Sequence, residues 1–187
     1  MNRISLGNEE RCKIDLPIRL AENPYEAQMT EFKIGFTKIG CNRPYIGETA
    51  NYTVERIAKT ISAMSNTKKN SRNGYIVVGI SDNKEQAEEW EKNYNSKAII
   101  YGNHYIVGVE EEIKRCFLNA DEYLNFLINE LGKCDIDREL LQYVEQNMEF
   151  TTFKGRQLLL IPSLKLDRDV YFNSELWIRK GASNKKI

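Results

Sequence analysis

The sequence contains no segment that resembles a secretory signal and no apolar run long enough to cross a membrane. Its start, MNRISLGNEERCK, is polar, and its longest apolar stretches, YIVVGI and LLLIP, have the length of a β-strand. A transmembrane helix needs about 20 predominantly apolar residues. We therefore expect a soluble, cytoplasmic protein that does not bind membranes.

Motifs for structural zinc and for nucleotide hydrolysis are also missing. The four cysteines form no C-x-x-C pair, and His104 is the single histidine. A zinc knuckle is therefore disfavoured, and we interpret the cysteines as reduced, mostly buried thiols. No G-x-x-x-x-G-K-[S/T] loop is present, which argues against ATP hydrolysis. The cysteines are Cys12, Cys41, Cys116 and Cys134.

The chain carries no net charge, because 27 basic side chains balance 27 acidic ones. Their distribution is uneven: residues 1–83 hold 12 basic and 9 acidic side chains, residues 84–149 hold 7 and 15, and residues 154–187 hold 8 and 3. The neutral total argues against a nonspecific coat on DNA. The two basic segments indicate either a local phosphate-binding face or an ordinary solvated surface.

Length and composition indicate a folded domain. The chain has 187 residues, of which 41% are hydrophobic and 29% charged, and it contains no internal repeat and no low-complexity linker. We expect a single domain over residues 1–187.

The apolar pattern predicts alternating strands and helices. Period-two alternation in MTEFKIGF indicates a half-buried strand with Glu31 and Lys33 on its polar face. A loop over 37–52 and a helix with Thr53 as N-cap follow, and then YIVVGIS, a continuous strand with Asp82 at its carboxyl end.

The rest of the chain is predicted to add helices over 84–97, 110–131 and 137–147, a hairpin turning at Gly102-Asn103, two strands joined at Lys154-Gly155, and a last hairpin in DVYFNSELWIRKG. The fold class that follows is α+β, with a mixed, largely antiparallel sheet flanked by helices.

Carboxylates near the first strand are the candidates for chemistry. Glu26 and Glu31 are five residues apart, and they converge only if the chain changes conformation between them. Together with Asp82 they would offer the hard oxygen ligands that Mg²⁺ and Mn²⁺ prefer, with Lys33 beside them. By itself this spacing is a weak signal, and it favours surface ions over a metal site.

Several motifs in order resemble the Schlafen AlbA-like domain. EAQMTEFK matches the family's E-x-x-x-x-E-F-K run, SAMSNT matches a helix ending in A-N-T, and GYIVVGISD matches the following glycine-led strand and aspartate. YIVGVEEEI resembles the family's middle, and GRQLLLIPSLKLDRDVYFNSELWIRKGASN resembles its closing stretch. The resemblance spans roughly residues 20–185, which sets the domain core.

This resemblance implies a metal-dependent endoribonuclease that cleaves structured RNA such as tRNA. Carried over by motif, Glu26, Glu31 and Asp82 would hold Mg²⁺ or Mn²⁺, and Lys33 would stabilise the charge that develops on the phosphate. The family's ribonucleases close a groove with two such lobes. This chain has one, so we expect a homodimer or an association with a larger protein.

Basic and aromatic residues give candidate contacts to nucleic acid. The loop NTKKNSRNG is longer than the family's turn, and it is either an RNA-contacting element or a tolerated insertion. In the last hairpin, Tyr171 or Trp177 could stack a base, although core packing is the favoured role of Trp177. The candidate nucleic-acid-binding residues are Lys68, Lys69, Arg72, Arg179 and Lys180.

Two other functions remain open from the sequence. The chain could be a non-catalytic nucleic-acid-binding module that acts on DNA as a transcriptional regulator, or a scaffold whose dimer face is the functional part. We expect His104 to have a surface or hydrogen-bonding role and Trp90 to anchor helix packing.

Overall fold

The computed structural model describes residues 29–42, 48–67 and 73–187. The α+β class is confirmed for this part of the chain. Its helices are α1 (Glu48–Ser65), α2 (Lys84–Tyr94), α3 (Glu110–Cys116), α4 (Ala120–Lys133) and α5 (Arg138–Asn147). Its strands are β1 (Thr30–Lys33), β2 (Tyr75–Val78), β3 (Ile80–Ser81), β4 (Ile99–Tyr101), β5 (His104–Ile106), β6 (Glu149–Phe153), β7 (Arg156–Pro162), β8 (Tyr171–Phe172), β9 (Glu175–Lys180) and β10 (Ser183–Lys186).

The central sheet has four strands in the order β1-β2-β7-β6. β1 runs parallel to β2, and the other neighbours are antiparallel. Because successive side chains of a strand point to opposite faces, Ile76 and Val78 of β2 pack in the main core with α1, while Val77 packs with Phe32 in a second cluster. The sheet is therefore covered on both faces.

The continuous strand predicted for YIVVGIS is wrong, because the chain bends at Gly79. β2 ends at Val78 in the central sheet, and β3 starts at Ile80 in a separate sheet of order β3-β5-β4. Gly79 has φ +102°, and a Cβ there would lie 2.8 Å from the Leu158 side chain. A side chain other than hydrogen does not fit this bend, so the glycine permits one segment to serve two sheets.

Two helix predictions differ from the structure at their boundaries. α1 begins at Glu48, so Thr53 lies inside the helix rather than capping it. The helix predicted over 110–131 is two helices, because Phe117 is extended and Asn119 caps α4 by accepting a hydrogen bond from the Glu122 N–H at 2.9 Å. Buried Phe117 fills the break, which an apolar pattern alone cannot distinguish from a continuous helix.

The predicted hairpins are confirmed, and a further strand follows the last one. The turns lie at Gly102-Asn103, Lys154-Gly155 and Asn173-Ser174. β10 was not predicted, and it joins β9 and β8 in a three-stranded sheet that packs against α1. Among the described residues, no helix is both long and apolar enough to span a membrane.

Candidate active site

Glu31 lies in β1 and is buried by the C-terminal β9–β10 hairpin. The residue is 6% exposed, and it pairs with Ile76 of β2. Lys33 Nζ donates a hydrogen bond to Glu31 Oε1, and Arg179 Nη2 lies 3.0 Å from Glu31 Oε2. The prediction that Glu31 and Lys33 share a face is confirmed. At Glu31 this polar face is buried, because Arg179 contacts the carboxylate.

Arg179 is held from three elements and is itself 2% exposed. Its Nη1 donates to Asn184 Oδ1 of β10 at 3.1 Å, and its Nη2 donates to the Thr30 carbonyl of β1 at 3.4 Å. Its backbone N–H donates to Thr67 Oγ1 at 3.1 Å, just beyond the end of α1. These contacts fix the guanidinium beside Glu31. The sequence placed Arg179 on a groove surface, and the structure buries it instead.

Among the described residues, Glu31 lies between two cations, Lys33 and Arg179. Glu31 Oε2 accepts no hydrogen bond within the described part of the chain, so its contact with Arg179 is an ion pair by distance only. Removing one partner of a buried ion pair costs about 3–5 kcal/mol, because the other charge is left without compensation. Each of these side chains is therefore important for the others' placement.

Lys33 is positioned at the edge of this cluster. Its side chain is 16% exposed, and Nζ also donates to the Phe32 carbonyl at 3.1 Å. A lysine ammonium has three N–H donors. Two are used by Glu31 and Phe32, which leaves one that can reach a phosphate oxygen from solvent.

Asp82 is exposed and follows β3 directly. Ser81 Oγ accepts the Asn83 N–H at 3.1 Å, and Asn83 caps α2 by accepting the Gln86 N–H at 2.8 Å. The aspartate is thus held in a tight turn between β3 and α2. Because the chain bends at Gly79, Asp82 and Glu31 are carried by strands of two different sheets.

The donor types fit Mg²⁺ or Mn²⁺, and the surroundings restrict how such an ion would bind. Glu31 Oε2 is a carboxylate oxygen, the donor type that these ions prefer, but it is buried and lies 3.0 Å from Arg179 Nη2. Lys33 and Arg179 oppose a divalent charge at the same place. Glu26 lies outside the described residues, and the remainder contains no group of three or more histidine, cysteine, aspartate or glutamate side chains able to hold a metal.

The segment predicted to contact nucleic acid begins and ends near Lys165. Lys165 Nζ donates to the Thr67 carbonyl, and its backbone N–H donates to Asn73 Oδ1 at 3.2 Å. Thr67 also accepts the Arg179 N–H. Thr67, the described residue before the segment, therefore contacts the cluster that contains Glu31, and Asn73, the described residue after it, contacts Lys165. Lys68, Lys69 and Arg72 themselves lie outside the described residues.

The tip of the β9–β10 hairpin is basic and exposed. Lys180 is exposed and pairs with Ser183 across the turn. Tyr171, in neighbouring β8, is 54% exposed, so its ring is accessible. Trp177 packs against the main core, and Lys59 Nζ lies 4.5 Å from its ring centroid. Core packing of Trp177 is thus confirmed, and Lys180 and Tyr171 remain on the surface.

His104 and Trp90 are both buried. His104 belongs to β5, with its ring 4.8 Å from that of Phe32, so a surface position for it is wrong. Trp90 packs with Tyr94 and Val107 in a third core cluster, which confirms its packing role.

A second buried carboxylate, Glu112, was not identified from the sequence. It is fully buried in α3 and accepts hydrogen bonds from the Phe36 N–H at 2.8 Å and the Thr37 N–H at 2.6 Å. Tyr123 donates its hydroxyl at 2.8 Å. Burial raises the pKa of Glu112, and burial together with Glu112 raises the pKa of Tyr123. The signal available in sequence was weak: Glu112 lies four residues before buried Cys116, on the apolar side of α3.

Gly35 provides the room for this carboxylate. A Cβ at residue 35 would lie 2.7 Å from Glu112 Oε2. Because Gly35 has no side chain, the backbone after β1 can come close enough to donate hydrogen bonds to Glu112. These bonds connect the segment after β1 to α3, and through Tyr123 to α4.

Two solved structures are among the known proteins to which this chain is similar. One is the DIP2311 protein from Corynebacterium diphtheriae, with 18% identity, a TM-score of 0.46, and coverage of 86% of this chain and 22% of that protein. Another is the N-terminal domain of a protein from Nitrosomonas europaea that is described as a putative ATP-dependent DNA helicase RecG-related protein. It is 14% identical with a TM-score of 0.45, and the match covers 85% of this chain and 78% of that one. This chain therefore spans under a quarter of the length of the Corynebacterium protein.

The search of curated proteins gives no match. A family model described as Schlafen, AlbA_2 matches residues 26–187, which includes β1, the bend at Gly79 and the C-terminal hairpin that covers Glu31. The chain therefore belongs to the Schlafen, AlbA_2 family, whose domains are associated with nucleic acids and which includes nucleases.

Proposed function

We propose that this protein is a metal-dependent endoribonuclease that cleaves structured RNA such as tRNA. Glu26, Glu31 and Asp82 would hold one or more Mg²⁺ or Mn²⁺ ions. The observation that carries the proposal is the position of Glu31, a buried carboxylate on β1 that Lys33 and Arg179 hold in place.

The protein's own side chains have separable roles in this reaction. A divalent ion, when bound, supplies an activated water and neutralises phosphate charge. Lys33 keeps Glu31 oriented and offers its third N–H to a phosphate oxygen, where it stabilises the negative charge that develops during cleavage. Asp82 directly follows β3, and its exposure leaves it accessible to the RNA backbone.

Substrate binding would use the basic residues beside this cluster. Lys68, Lys69 and Arg72 belong to a segment whose two ends contact Lys165, and Lys180 is exposed at the hairpin tip. Such residues contact phosphates without reading sequence. Tyr171, exposed in β8, can stack an unpaired base. A homodimer, or a larger partner, would close a two-sided groove around the RNA.

The test uses mixed tRNA with wild type and the variants Asp82→Asn and Glu31→Gln. With Mn²⁺ we expect discrete fragments from wild type and none in EDTA. Asp82→Asn should lower the cleavage rate by more than about 100-fold, which exceeds the effect of changing groups that only support a metal ligand. Because Asp82 is exposed, this variant should keep the stability and tRNA affinity of wild type.

The matched control is Asp121→Asn, an exposed aspartate in the first turn of α4. It should cleave like wild type. Glu31→Gln is compared only after its folding is verified, since it removes the counter-charge of buried Arg179. Cleavage by Asp82→Asn at the wild-type rate would contradict the proposed site.

A non-catalytic nucleic-acid-binding module is the second candidate. It is favoured by Lys33 and Arg179, the two cations that lie beside Glu31 among the described residues, because positive charge attracts phosphate. Under this alternative, wild type would retard tRNA or duplex DNA on a gel without cleaving it, and Asp82→Asn would bind equally well. Loss of binding on neutralising Lys68, Lys69 and Arg72 would then identify the interface.

A further inference from the structure

We propose that Cys41 and Cys116 form a reversible disulfide when the protein meets a hydroperoxide. The two cysteines lie 75 residues apart in the chain, and neither belongs to the candidate active site. The proposal goes beyond the nuclease function and does not depend on it. It assigns a redox modification site that fastens the segment after β1 to the end of α3.

The sulfur of Cys116 lies directly against Cys41. Cys116 Sγ donates a hydrogen bond to the Cys41 carbonyl at 3.1 Å, and the two thiols also interact as hydrogen-bonding side chains. A disulfide forms only between cysteines whose side chains already approach closely, and this pair meets that requirement. Cys116 ends α3 and Cys41 lies in the loop after β1, so the bond would join two separate elements.

The backbone holds this contact from the side of Cys41. The N–H groups of Phe36 and Thr37 donate to Glu112 of α3 at 2.8 Å and 2.6 Å, and the Cys41 N–H donates to the Lys38 carbonyl at 2.9 Å. The segment after β1 is therefore bound to α3 just before Cys41. Reacting groups that are held together react faster than groups that must first meet.

The two thiols differ in their access to solvent. Cys41 is partly exposed, whereas Cys116 is fully buried, with Thr37 Oγ1 3.7 Å from its sulfur. Burial, with a contribution from the charge of Glu112, raises the pKa of the Cys116 thiol to about 11. The thiolate is the reactive form of cysteine. A hydroperoxide can therefore oxidise Cys41 first, and Cys116 is left to react with the product.

The disulfide would form in two steps. The Cys41 thiolate attacks one oxygen of hydrogen peroxide, so an S–O bond forms, the O–O bond breaks, and the released hydroxide takes up a proton to leave as water. The sulfur of Cys116 then attacks the sulfenic acid on Cys41. The S–S bond forms, the S–O bond breaks, and the departing hydroxide takes the Cys116 proton as a second water. The two thiols lose two electrons, which the peroxide gains.

The cross-link should stabilise the fold. It would close a loop that contains β2, β3 and Asp82. A disulfide restricts the unfolded chain, and it does so more strongly when the closed loop is long. In urea unfolding, the midpoint of the oxidised protein should rise by at least about 0.5 M over that of the reduced protein. Dithiothreitol should return the midpoint to the reduced value.

The test begins with reduced wild type treated with hydrogen peroxide. The remaining thiols are alkylated under denaturing conditions, and the protein is digested without reduction for mass spectrometry. Of the four cysteines in the chain, two should escape alkylation. The protein should lose two hydrogen atoms in mass, and one pair of peptides should be linked through Cys41 and Cys116.

Two serine variants establish the order of the steps. In Cys116→Ser, Cys41 should accumulate a sulfenic acid that dimedone captures, because the second thiol is missing. In Cys41→Ser, Cys116 should stay unmodified, because it is buried. Cys134→Ser is the matched control: Cys134 is a partly buried thiol whose sulfur donates to the Glu130 carbonyl at 3.4 Å. This variant should form the cross-link as wild type does.

Four intact thiols after peroxide treatment would overturn the proposal, as would a disulfide through Cys12 or Cys134 or a link between two protein molecules. Dimedone capture at Cys116 in preference to Cys41 would overturn the order of the steps. Peptide mapping of wild type decides even if a variant fails to fold. These measurements use neither RNA nor a metal ion, so their failure and the failure of tRNA cleavage are distinguished.

Discussion

The two buried carboxylates differ in what surrounds them. Glu31 contacts the cations Lys33 and Arg179, whereas the described hydrogen bonds to Glu112 come from uncharged donors, two backbone N–H groups and two hydroxyls. Burial without a positive partner raises the pKa of Glu112. This residue should therefore make the stability of the fold depend on pH.

We expect Glu112→Gln to change that pH dependence in a defined direction. The carboxyl's folded pKa lies above its unfolded value of 4.5. Its contribution to stability is therefore fully present below pH 4.5 and is lost as the pH rises towards the folded pKa, by about 1.4 kcal/mol per pH unit between the two values. In urea unfolding at several pH values, wild type should lose stability relative to Glu112→Gln as the pH rises through this window.

The control for this measurement is Glu145→Gln, an exposed glutamate on α5. Its stability should differ from that of wild type by a small amount that does not vary across the same pH range. If wild type instead gained stability relative to Glu112→Gln as the pH rises, the raised pKa would be contradicted.

At the scale of single residues, neighbouring contacts were predictable and distant ones were not. Period-two alternation places Glu31 and Lys33 on one face, and their hydrogen bond confirms it. The burial of Glu31 depends on a hairpin almost at the other end of the described chain, and no local pattern contains that information. The same reason explains why Arg179 was placed on a surface.

Among the structural elements, the bend between β2 and β3 has the largest effect on the candidate site, since it separates the strand beside Glu31 from the strand that ends at Asp82. Gly79 donates its N–H to the Lys33 carbonyl at 2.8 Å and accepts the Gly108 N–H at 2.9 Å. It therefore links the central sheet to the segment after β5. The glycine was visible in the sequence, but the change of sheet depends on these distant partners.

Replacing Gly79 by alanine should destabilise the protein by about 2–4 kcal/mol, because its positive φ is strained for any other residue and the new Cβ would collide with Leu158. Gly132→Ala is the control. Gly132 lies in α4, and a Cβ added there would meet no atom of the described residues within 4 Å. This change should stabilise the protein by about 0.5–1 kcal/mol. Urea unfolding of both variants checks these values. Equal changes in the free energy of unfolding for the two variants would contradict the structural role of the bend at Gly79.

The apolar faces of the helices were easier to predict from the sequence than the residues at which the helices begin and end. The apolar face of α1 was predicted correctly, and its members Val54, Ile57 and Ile61 are fully buried. The break between α3 and α4 was missed because Phe117 continues the apolar spacing while its backbone is extended. Boundaries that depend on a cap, such as Asn119, are poorly defined by periodicity.

For the molecule as a whole, the uneven distribution of charge predicts where nucleic acid binds. The acidic middle of the chain contributes α2, α3, α4 and α5, and the basic segment over 68–72 is joined to the rest beside Lys165 and the hairpin. Nucleic acid should therefore contact the part of the protein that carries the β9–β10 hairpin.

Neutralising Lys68, Lys69 and Arg72 together to glutamine should weaken tRNA binding and flatten its dependence on salt. If all three contact phosphates, the slope of log K against log salt should decrease in magnitude by about 2–3, since each phosphate contact contributes about 0.7–0.9. Fluorescence anisotropy between low and moderate salt measures it. A triple variant of Lys92, Lys114 and Lys133, from the acidic helices, should keep the wild-type slope. Equal slopes for the two triple variants would place the interface elsewhere.

The contact between β1 and the last hairpin also sets an order of events during synthesis. Glu31 is made early, and Arg179 follows only after nearly all of the described chain, roughly 7–30 s later at ordinary translation rates. Until then Glu31 does not have Arg179 beside it. The nascent chain therefore completes this cluster only after the hairpin has been translated and has left the ribosome.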